Sequence, residues 1–317
     1  MLLDITIISL GFVGLIWGAD KFVFGASALA RNLGVAPLVI GMTIVAFGTS
    51  APEIFSSAAS ALAGEPELAI GNAIGSNIFN VGIALGVAVV IRPLTPPASI
   101  GTREMPAMLF VTVVTGLLLA NFFLGIIDSL ILISIVAFFV YYLMTRQPDS
   151  VALDELDEDE IDSVSNLRAT AYLIFGLVLL ILSAEALVNA AISVADTLSV
   201  PPSIIGLTLV ALGTSLPELA ATVACAMRGH HELAIGNIVG SNIMNLLVVL
   251  PFPGLISPSS IDQSLVYRDY GVMLLLSLLL TVICFQAIRH QRAIGRLSGT
   301  AFLLIYAGWF AMMYWQL

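Results

Sequence analysis

Charge is scarce in this chain. Only 10% of its 317 residues are Asp, Glu, Lys or Arg, 59% are hydrophobic, and the mean hydropathy is +1.05. That balance excludes a soluble domain, and uncharged stretches long enough to cross a bilayer recur along the sequence. Cysteine is nearly absent too. Cys225 and Cys284 lie in apolar stretches without Cys-x-x-Cys spacing and read as inert packing thiols. A basic leader is missing: Met1 to Ile16 has neither a charged n-region nor a small-residue cleavage site, so it reads as a first span rather than a removable signal. The net charge of −10 comes largely from one loop and gives no footing for nucleic acid. Once the spans are counted, no soluble catalytic domain is left. The sequence therefore predicts an all-α membrane protein whose solvent is the lipid bilayer.

Against that background two acidic residues stand out. Gly48-Thr49-Ser50-Ala51-Pro52-Glu53 recurs as Gly213-Thr214-Ser215-Leu216-Pro217-Glu218, each inside an apolar helical stretch. An acidic residue at the bilayer centre costs about 2.5–3.5 kcal/mol on insertion scales. Each Pro adds to the cost by removing a backbone donor, stripping the carbonyl of Gly48 or Gly213 of its helical partner. A hard cation held between the two segments satisfies both defects. Freed carbonyls, the hydroxyls of Thr49 and Ser50, and the Glu53 carboxylate are all hard oxygen donors, suited to calcium or sodium and wrong for zinc or copper. No His or Cys accompanies them.

The duplication extends far beyond the motif. Gly41 to Leu85 matches Gly206 to Leu250 without a gap at a constant offset of 165, with about half the positions identical. In the same register Asp20 meets Glu185, Pro37 meets Pro202, Pro93 meets Pro258, Arg103 meets Arg268 and Glu104 meets Asp269. The chain reads as two copies of one unit, 1–146 and 167–317, joined by an acidic linker at 147–166. Each copy holds five expected helices: 3–31, 37–63, 67–91, 103–122 and 125–145, then 167–196, 202–228, 232–252, 269–288 and 297–315. Five spans per copy place the second copy upside down, which predicts ten transmembrane helices in two inverted-topology five-helix repeats, broken at the midplane. Basic residues test this independently. With both termini outside, Arg31, Arg92, Arg103, Arg146, Arg168, Arg228, Arg289, Arg292 and Arg296 fall on the cytoplasmic side and only Arg268 faces outward, with Lys21 inside the first span. A multi-pass inner (plasma) membrane protein is expected.

The linker, with Asp154-Glu155-Leu156-Asp157-Glu158-Asp159-Glu160, lacks the turn glycine and terminal Glu of an EF-hand loop and reads as a solvated cytoplasmic connector. After each proline motif comes a second element, Gly71-Asn72-Ala73-Ile74-Gly75-Ser76-Asn77-Ile78-Phe79-Asn80 and its counterpart Gly236-Asn237-Ile238-Val239-Gly240-Ser241-Asn242-Ile243-Met244-Asn245. Ser76 and Asn80 share a helix face, as do Ser241 and Asn245. Gly71 and Gly75 are spaced to let a neighbouring helix approach. Gly11, Gly18 and Gly25, matched by Gly176, Ser183 and Ala190, give the first and sixth helices a smooth stripe, read either as a sliding surface against the bundle or as static packing. Asp20 and Glu185 are expected in structural pairing or snorkelling, and His230 and His231 in a solvated loop.

The duplicated motif resembles the alpha-repeats of the calcium/cation antiporter superfamily, specifically its prokaryotic sodium/calcium exchanger branch, over essentially the whole chain. The resemblance implies a ten-helix inverted-repeat fold and exchange of calcium against sodium, with no cofactor beyond the transported ions. Carried over by position, it places ion ligands on Ala46 (backbone carbonyl), Thr49, Ser50, Glu53, Ser76 and Asn80. In the second copy they fall on Ala211 (carbonyl), Thr214, Ser215, Glu218, Ser241 and Asn245. Some relatives carry an acidic residue where Asn80 or Asn245 stands, so potassium co-transport is disfavoured here. A calcium/proton antiporter on the same site is the alternative reading; the proton-coupled branch places Glu where Gly75 and Gly240 stand. A channel needs a continuous polar path rather than one compact cluster. An intramembrane enzyme needs a nucleophile or metal constellation that two Glu alone do not supply, so no enzymatic activity is expected. Monomer and homo-oligomer both remain open.

Overall fold

Lipid cannot hydrogen-bond a backbone, so an apolar chain that crosses it must close its bonds within each segment, and helices follow. The computed structural model describes residues 2–145, 164–198 and 211–315. They form α1 (Leu2–Leu33), α2 (Pro37–Thr49), α3 (Ala51–Leu62), α4 (Pro66–Ile91), α5 (Ala98–Leu119) and α6 (Ile126–Thr145). The second half gives α7 (Asn166–Thr197), α8 (Ala211–Thr214), α9 (Leu216–Arg228), α10 (His231–Ile256), α11 (Leu265–Arg289) and α12 (Arg296–Trp315). Among the described residues seven helices are individually long and apolar enough to cross a membrane, and the pair α2–α3, bent by 44°, makes eight. The chain is an all-helical, multi-pass membrane protein. The start of the expected helix 202–228 and nearly all of the expected linker 147–166 lie outside the described residues.

Proline sets several boundaries in the way its missing N–H dictates. Pro37 and Pro66 open α2 and α4, and Pro52 and Pro217 sit in the first turns of α3 and α9, where no helical donor is lost. Three helices depart from their expected lengths. The expected helix 103–122, α5, ends at Leu119, and beyond it lies β1 (Phe123–Leu124), paired antiparallel with β2 (Ser259–Ser260) in the register Phe123↔Ser260 and Leu124↔Ser259. The counterpart of α5, α11, starts earlier than expected, at Leu265, and α10, the counterpart of α4, runs on to Ile256.

The two ends of the bundle are tied by different loops. The β1–β2 ribbon closes one end. At the other, Leu94 and Ile294 exchange backbone bonds of 3.2 and 2.7 Å, Arg92 donates to Met227 O (2.8 Å), and Arg296 donates to Val90 O (3.0 Å). Thr95 N–H donates to His231 Nδ1 (2.8 Å) at this same end, and His230 is buried. The expectation of a solvated histidine loop is corrected: both rings belong to a packed junction, because the α9–α10 turn is pressed against the loop after α4. Arg92, Arg228, Arg292 and Arg296 gather at this end.

The α1 glycines serve a helix pair. A Cβ at Gly18 would lie 2.8 Å from Leu180 N, one at Gly25 2.7 Å from Ala169 O, and one at Gly176 2.7 Å from Phe22 Cα. The stripe is thus consumed in the α1–α7 seam and does not face the bundle as a free sliding surface. Asp20 is paired, as expected, but its main partner is Arg228, which donates from Nε (2.8 Å) and Nη2, with Lys21 Nζ at 3.5 Å. This pair joins α1 to the end of α9. Cys225 and Cys284 are free and buried, as packing thiols should be.

The helices that carry the second motif are the most enclosed. In their most apolar windows α10 is 94% buried and α4 72%, against 17–33% for α1, α5, α7, α11 and α12. Large apolar side chains such as Phe55, Leu117 and Leu297 line the outer surface, where lipid rather than water is the solvent. The polar residues of the two motifs therefore sit at the centre of an apolar shell.

Candidate ion site

Both proline motifs break their helices at one residue. Ser50 (φ −81°, ψ 4°) separates α2 from α3 and Ser215 (φ −94°, ψ 4°) separates α8 from α9, each in the sparsely populated region between helix and extended backbone. The interruption is confined to the serine in the first copy, since Gly48 and Thr49 before it and Ala51 after it are helical. It is enough to turn the chain and to bring Glu53 and Glu218, both fully buried, into a common site.

The two carboxylates are held crosswise. Ser50 Oγ donates to Glu218 Oε1 (2.9 Å), and Ser215 Oγ donates to Glu53 Oε1 (2.8 Å). Each serine thus reaches the carboxylate of the other copy, not its own. Ser76 Oγ adds a longer contact to Glu53 Oε1 (3.4 Å) and lies 3.1 Å from Ser215 Oγ. Thr49 Oγ1 is 3.3 Å from both Ala46 O and Asn237 Oδ1, and Thr214 Oγ1 donates to Asn72 Oδ1 (3.4 Å). Asn72 Nδ2 is in turn spent on Ser57 Oγ (3.0 Å) and Glu53 O (3.3 Å), and Asn237 Nδ2 on Thr222 Oγ1 (2.9 Å). Three of these bonds recur 165 residues away: serine to carboxylate, threonine to asparagine, and asparagine to the hydroxyl of Ser57 or Thr222.

What the network leaves open is as informative as what it closes. Glu53 Oε2, Glu218 Oε2, Asn80 Oδ1, Asn245 Oδ1 and Ser241 Oγ are buried without a hydrogen-bond partner among the described residues. Buried polar atoms are ordinarily paired, so such a group needs an explanation. These five are oxygens, the donor set of a hard cation, while Asn242 Nδ2 in the same element is a nitrogen also left open. Two full carboxylates supply the charge of one divalent ion or two monovalent ones.

Bonds join Thr49, Ser50, Glu53, Ser76, Thr214, Ser215 and Glu218 in one network, whereas Asn80 and Asn245 bond to Asn242 and Asn77 and Ser241 Oγ bonds to none of the described residues. Ala46 O already accepts from Ser50 N–H (3.0 Å) and has the Thr49 hydroxyl at 3.3 Å, so a cation there would compete with Thr49 for its second lone pair. In the second copy Ser215 N–H donates to Leu212 O (3.2 Å), a tighter turn, so the carbonyl of Ala211 is not engaged in the same way. The halves differ elsewhere as well: Ser76 is bonded twice, whereas its counterpart Ser241 is unpartnered. Gly236 and Gly240 allow the expected close approach, with α2 so near that added Cβ atoms would meet Leu38 O at 2.7 Å and Met42 Cα at 2.6 Å. The equivalent contacts of Gly71 and Gly75 fall on residues 203–211, almost all outside the described residues.

Four residues of the network were not singled out from sequence: Asn72, Asn77, Asn237 and Asn242. Their signal was present, since each stands in the duplicated Gly-Asn-x-x-Gly-Ser-Asn-x-x-Asn element. Asn80 and Asn245 also open π-helical turns, Asn80–Leu85 and Asn245–Val249, a local irregularity common at functional sites and invisible in the hydrophobic pattern.

Fold and site together define a class: a multi-pass helical membrane protein with paired carboxylates enclosed among hydroxyl and amide oxygens. Comparison with known proteins places it further. The family described as "Sodium/calcium exchanger protein" matches residues 3–145 and 168–315, and the chain belongs to this family of antiporters. It is 36% identical to "Inner membrane protein YrbG" of Escherichia coli (strain K12), with 99% of this chain and 98% of that protein covered. It is 32% identical to "Sodium/calcium exchanger MaX1" of Methanosarcina acetivorans, with 98% of each covered. Solved structures of the sodium-calcium exchanger NCX_Mj are similar throughout; the one soaked with 2.5 mM sodium and 0.1 mM calcium gives a TM-score of 0.85 at 29% identity, with 98% of each chain covered.

Proposed function

We propose that this protein is a secondary antiporter that exchanges calcium for sodium across the inner (plasma) membrane by alternating access. The transported ions are bound by Glu53 and Glu218 with Thr49, Ser50, Ser76, Asn80, Thr214, Ser215, Ser241 and Asn245, and by the carbonyls of Ala46 and Ala211. The observation that carries this reading is the crossed carboxylate pair: each Glu has one oxygen fixed by the other copy's serine and one oxygen without a partner. The reciprocity of the bonds under the 165-residue offset supports a ten-helix fold of two inverted repeats, 1–146 and 167–317, joined by the linker 147–166. The gathering of Arg92, Arg228, Arg292 and Arg296 at one end supports a cytoplasmic face there, with both termini outside.

Charge supplies the coupling. Two ionised carboxylates are costly to carry through the barrier uncompensated. One calcium ion neutralises them, and sodium ions sharing the same oxygens replace it. Either load permits the site to change sides, and an unloaded site does not. The α1–α7 pair, locked together along its seam, moves as a unit against the rest.

Calcium-45 uptake into sodium-loaded proteoliposomes tests the assignment. Uptake that requires the outward sodium gradient and is lost in Glu53→Gln or Glu218→Gln is expected. Uptake that survives either substitution refutes the site, and uptake driven by a pH gradient without sodium moves the coupling ion to the proton.

A further inference from the structure

We infer that Asn77 is a positioning residue that fixes which end of the Asn245 amide is left for a cation. An amide side chain carries a carbonyl oxygen that attracts a cation and an NH2 group that repels one. Rotation by half a turn exchanges them. A site that employs Asn where a carboxylate would have two equivalent oxygens must control that rotation.

The structure contains the control. Asn77 Nδ2 donates to the backbone carbonyl of Asn242 (3.2 Å). A carbonyl can only accept, so the NH2 of Asn77 must point there, and its Oδ1 is turned the other way. That Oδ1 accepts from Asn245 Nδ2 (3.1 Å), which spends the NH2 of Asn245 and leaves Asn245 Oδ1 without a partner. Across the site Asn80 Nδ2 donates to Asn242 Oδ1 (3.2 Å), but Asn242 Nδ2 has no partner among the described residues, so that pair lacks the anchor that Asn77 has. All four side chains are buried, at most 2% exposed, so water does not scramble the assignment. Flipping the Asn245 amide would set its Oδ1 against the Oδ1 of the anchored Asn77 in a dry interior. By the helical spacing Asn80 lies one turn beyond Ser76, whose hydroxyl meets Glu53. Asn77 lies about 100° further round the helix than Ser76, which suits a residue that acts from behind rather than on the ion.

This inference rests on the proposed ion site and adds what makes its neutral ligands selective. It predicts a dependence that ordinary packing does not. Asn77→Leu should raise the calcium Kd of the purified full-length protein at least tenfold by titration calorimetry, with the protein still monodisperse. In an Asn245→Asp background both ends of the side chain are oxygen, orientation no longer matters, and the same Asn77→Leu change should alter the Kd less than threefold. Asn77→Ala, which removes volume rather than reshaping it, takes the place of leucine if that variant does not assemble. Equal losses in the two backgrounds would show a structural role and overturn the inference, as would an unchanged Kd in Asn77→Leu alone. The underlying site is judged separately: calcium binding that persists in Glu53→Gln sinks the ion site, whereas binding that fails there but ignores Asn77 sinks only the positioning role.

Discussion

The crossed serine–carboxylate bonds make a prediction that residue proximity along the chain does not. Ser50 lies three residues from Glu53, yet its hydroxyl donates to Glu218 Oε1 at 2.9 Å. Replacing Ser50 by Ala removes that bond and leaves the Glu218 carboxylate short of a donor. A hydrogen bond to a charged group contributes about 1.5–3 kcal/mol, roughly ten- to a hundredfold in calcium affinity if it is felt fully in the loaded site. Glu218→Asp perturbs the same bond from the other side. It keeps the charge but withdraws the carboxylate by about 1.5 Å, one C–C bond, enough to carry the contact beyond hydrogen-bond range. Once either partner is changed, changing the other has little left to remove.

A double-mutant cycle on the calcium KM of sodium-driven uptake measures this. The cycle of Ser50→Ala with Glu218→Asp should show a coupling larger by about 1 kcal/mol or more than that of Ser50→Ala with Glu53→Asp. Coupling transmitted through the shared ion enters both cycles, and the hydrogen bond enters one. The mirror experiment with Ser215 should favour Glu53, to which it donates at 2.8 Å. Couplings that are equal, or larger within one copy than between copies, would refute the crossed arrangement.

Two further outcomes follow from other parts of the molecule. A Cβ at Gly176 would stand 2.7 Å from Phe22 Cα and 2.8 Å from Gly18 O, so Gly176→Ala must part the α1–α7 seam by about 1 Å to reach ordinary contact. A lowered thermal unfolding midpoint and slowed exchange are expected, and wild-type values for both would show that the seam is not the tight joint described. Protons and calcium compete for the Glu53 and Glu218 oxygens, so lowering the pH should raise the apparent calcium KM of uptake. Excess calcium should restore the rate, and an acid inhibition that saturating calcium leaves untouched would place the titrating group elsewhere.

The fold was legible in the sequence where a physical constraint acts on each residue separately. Lipid contact demands apolar side chains and self-bonded backbone, so helix existence followed from composition, and proline marked helix starts at Pro37 and Pro66. The 165-residue offset supplied the pairing of Glu53 with Glu218. Partnership between distant side chains was less visible. Nothing local tells that Ser50 serves Glu218, that Asp20 meets Arg228, or that the glycines of α1 face α7 rather than the bundle. The four missed asparagines fall in the same class. Each was quoted within a motif, but its role is set by which atom of the amide is spent and on what, and that is decided only when α4 and α10 are packed together.

That packing also explains why the site belongs to neither copy. Within one copy Glu53 has Ser76 at 3.4 Å; its shorter bond, from Ser215 at 2.8 Å, comes from the other. Glu218 Oε1 receives its bond from Ser50, again across the junction. The oxygens left over, Oε2 on both Glu and Oδ1 on both outer Asn, come in matched pairs, one from each copy. On the proposed reading a cation held among them is bound by both halves at once, and its departure leaves two negative charges facing each other in an apolar shell. Any movement of one half past the other then costs least when the charges are matched by an ion, and that dependence is what converts a binding site into an obligatory exchanger.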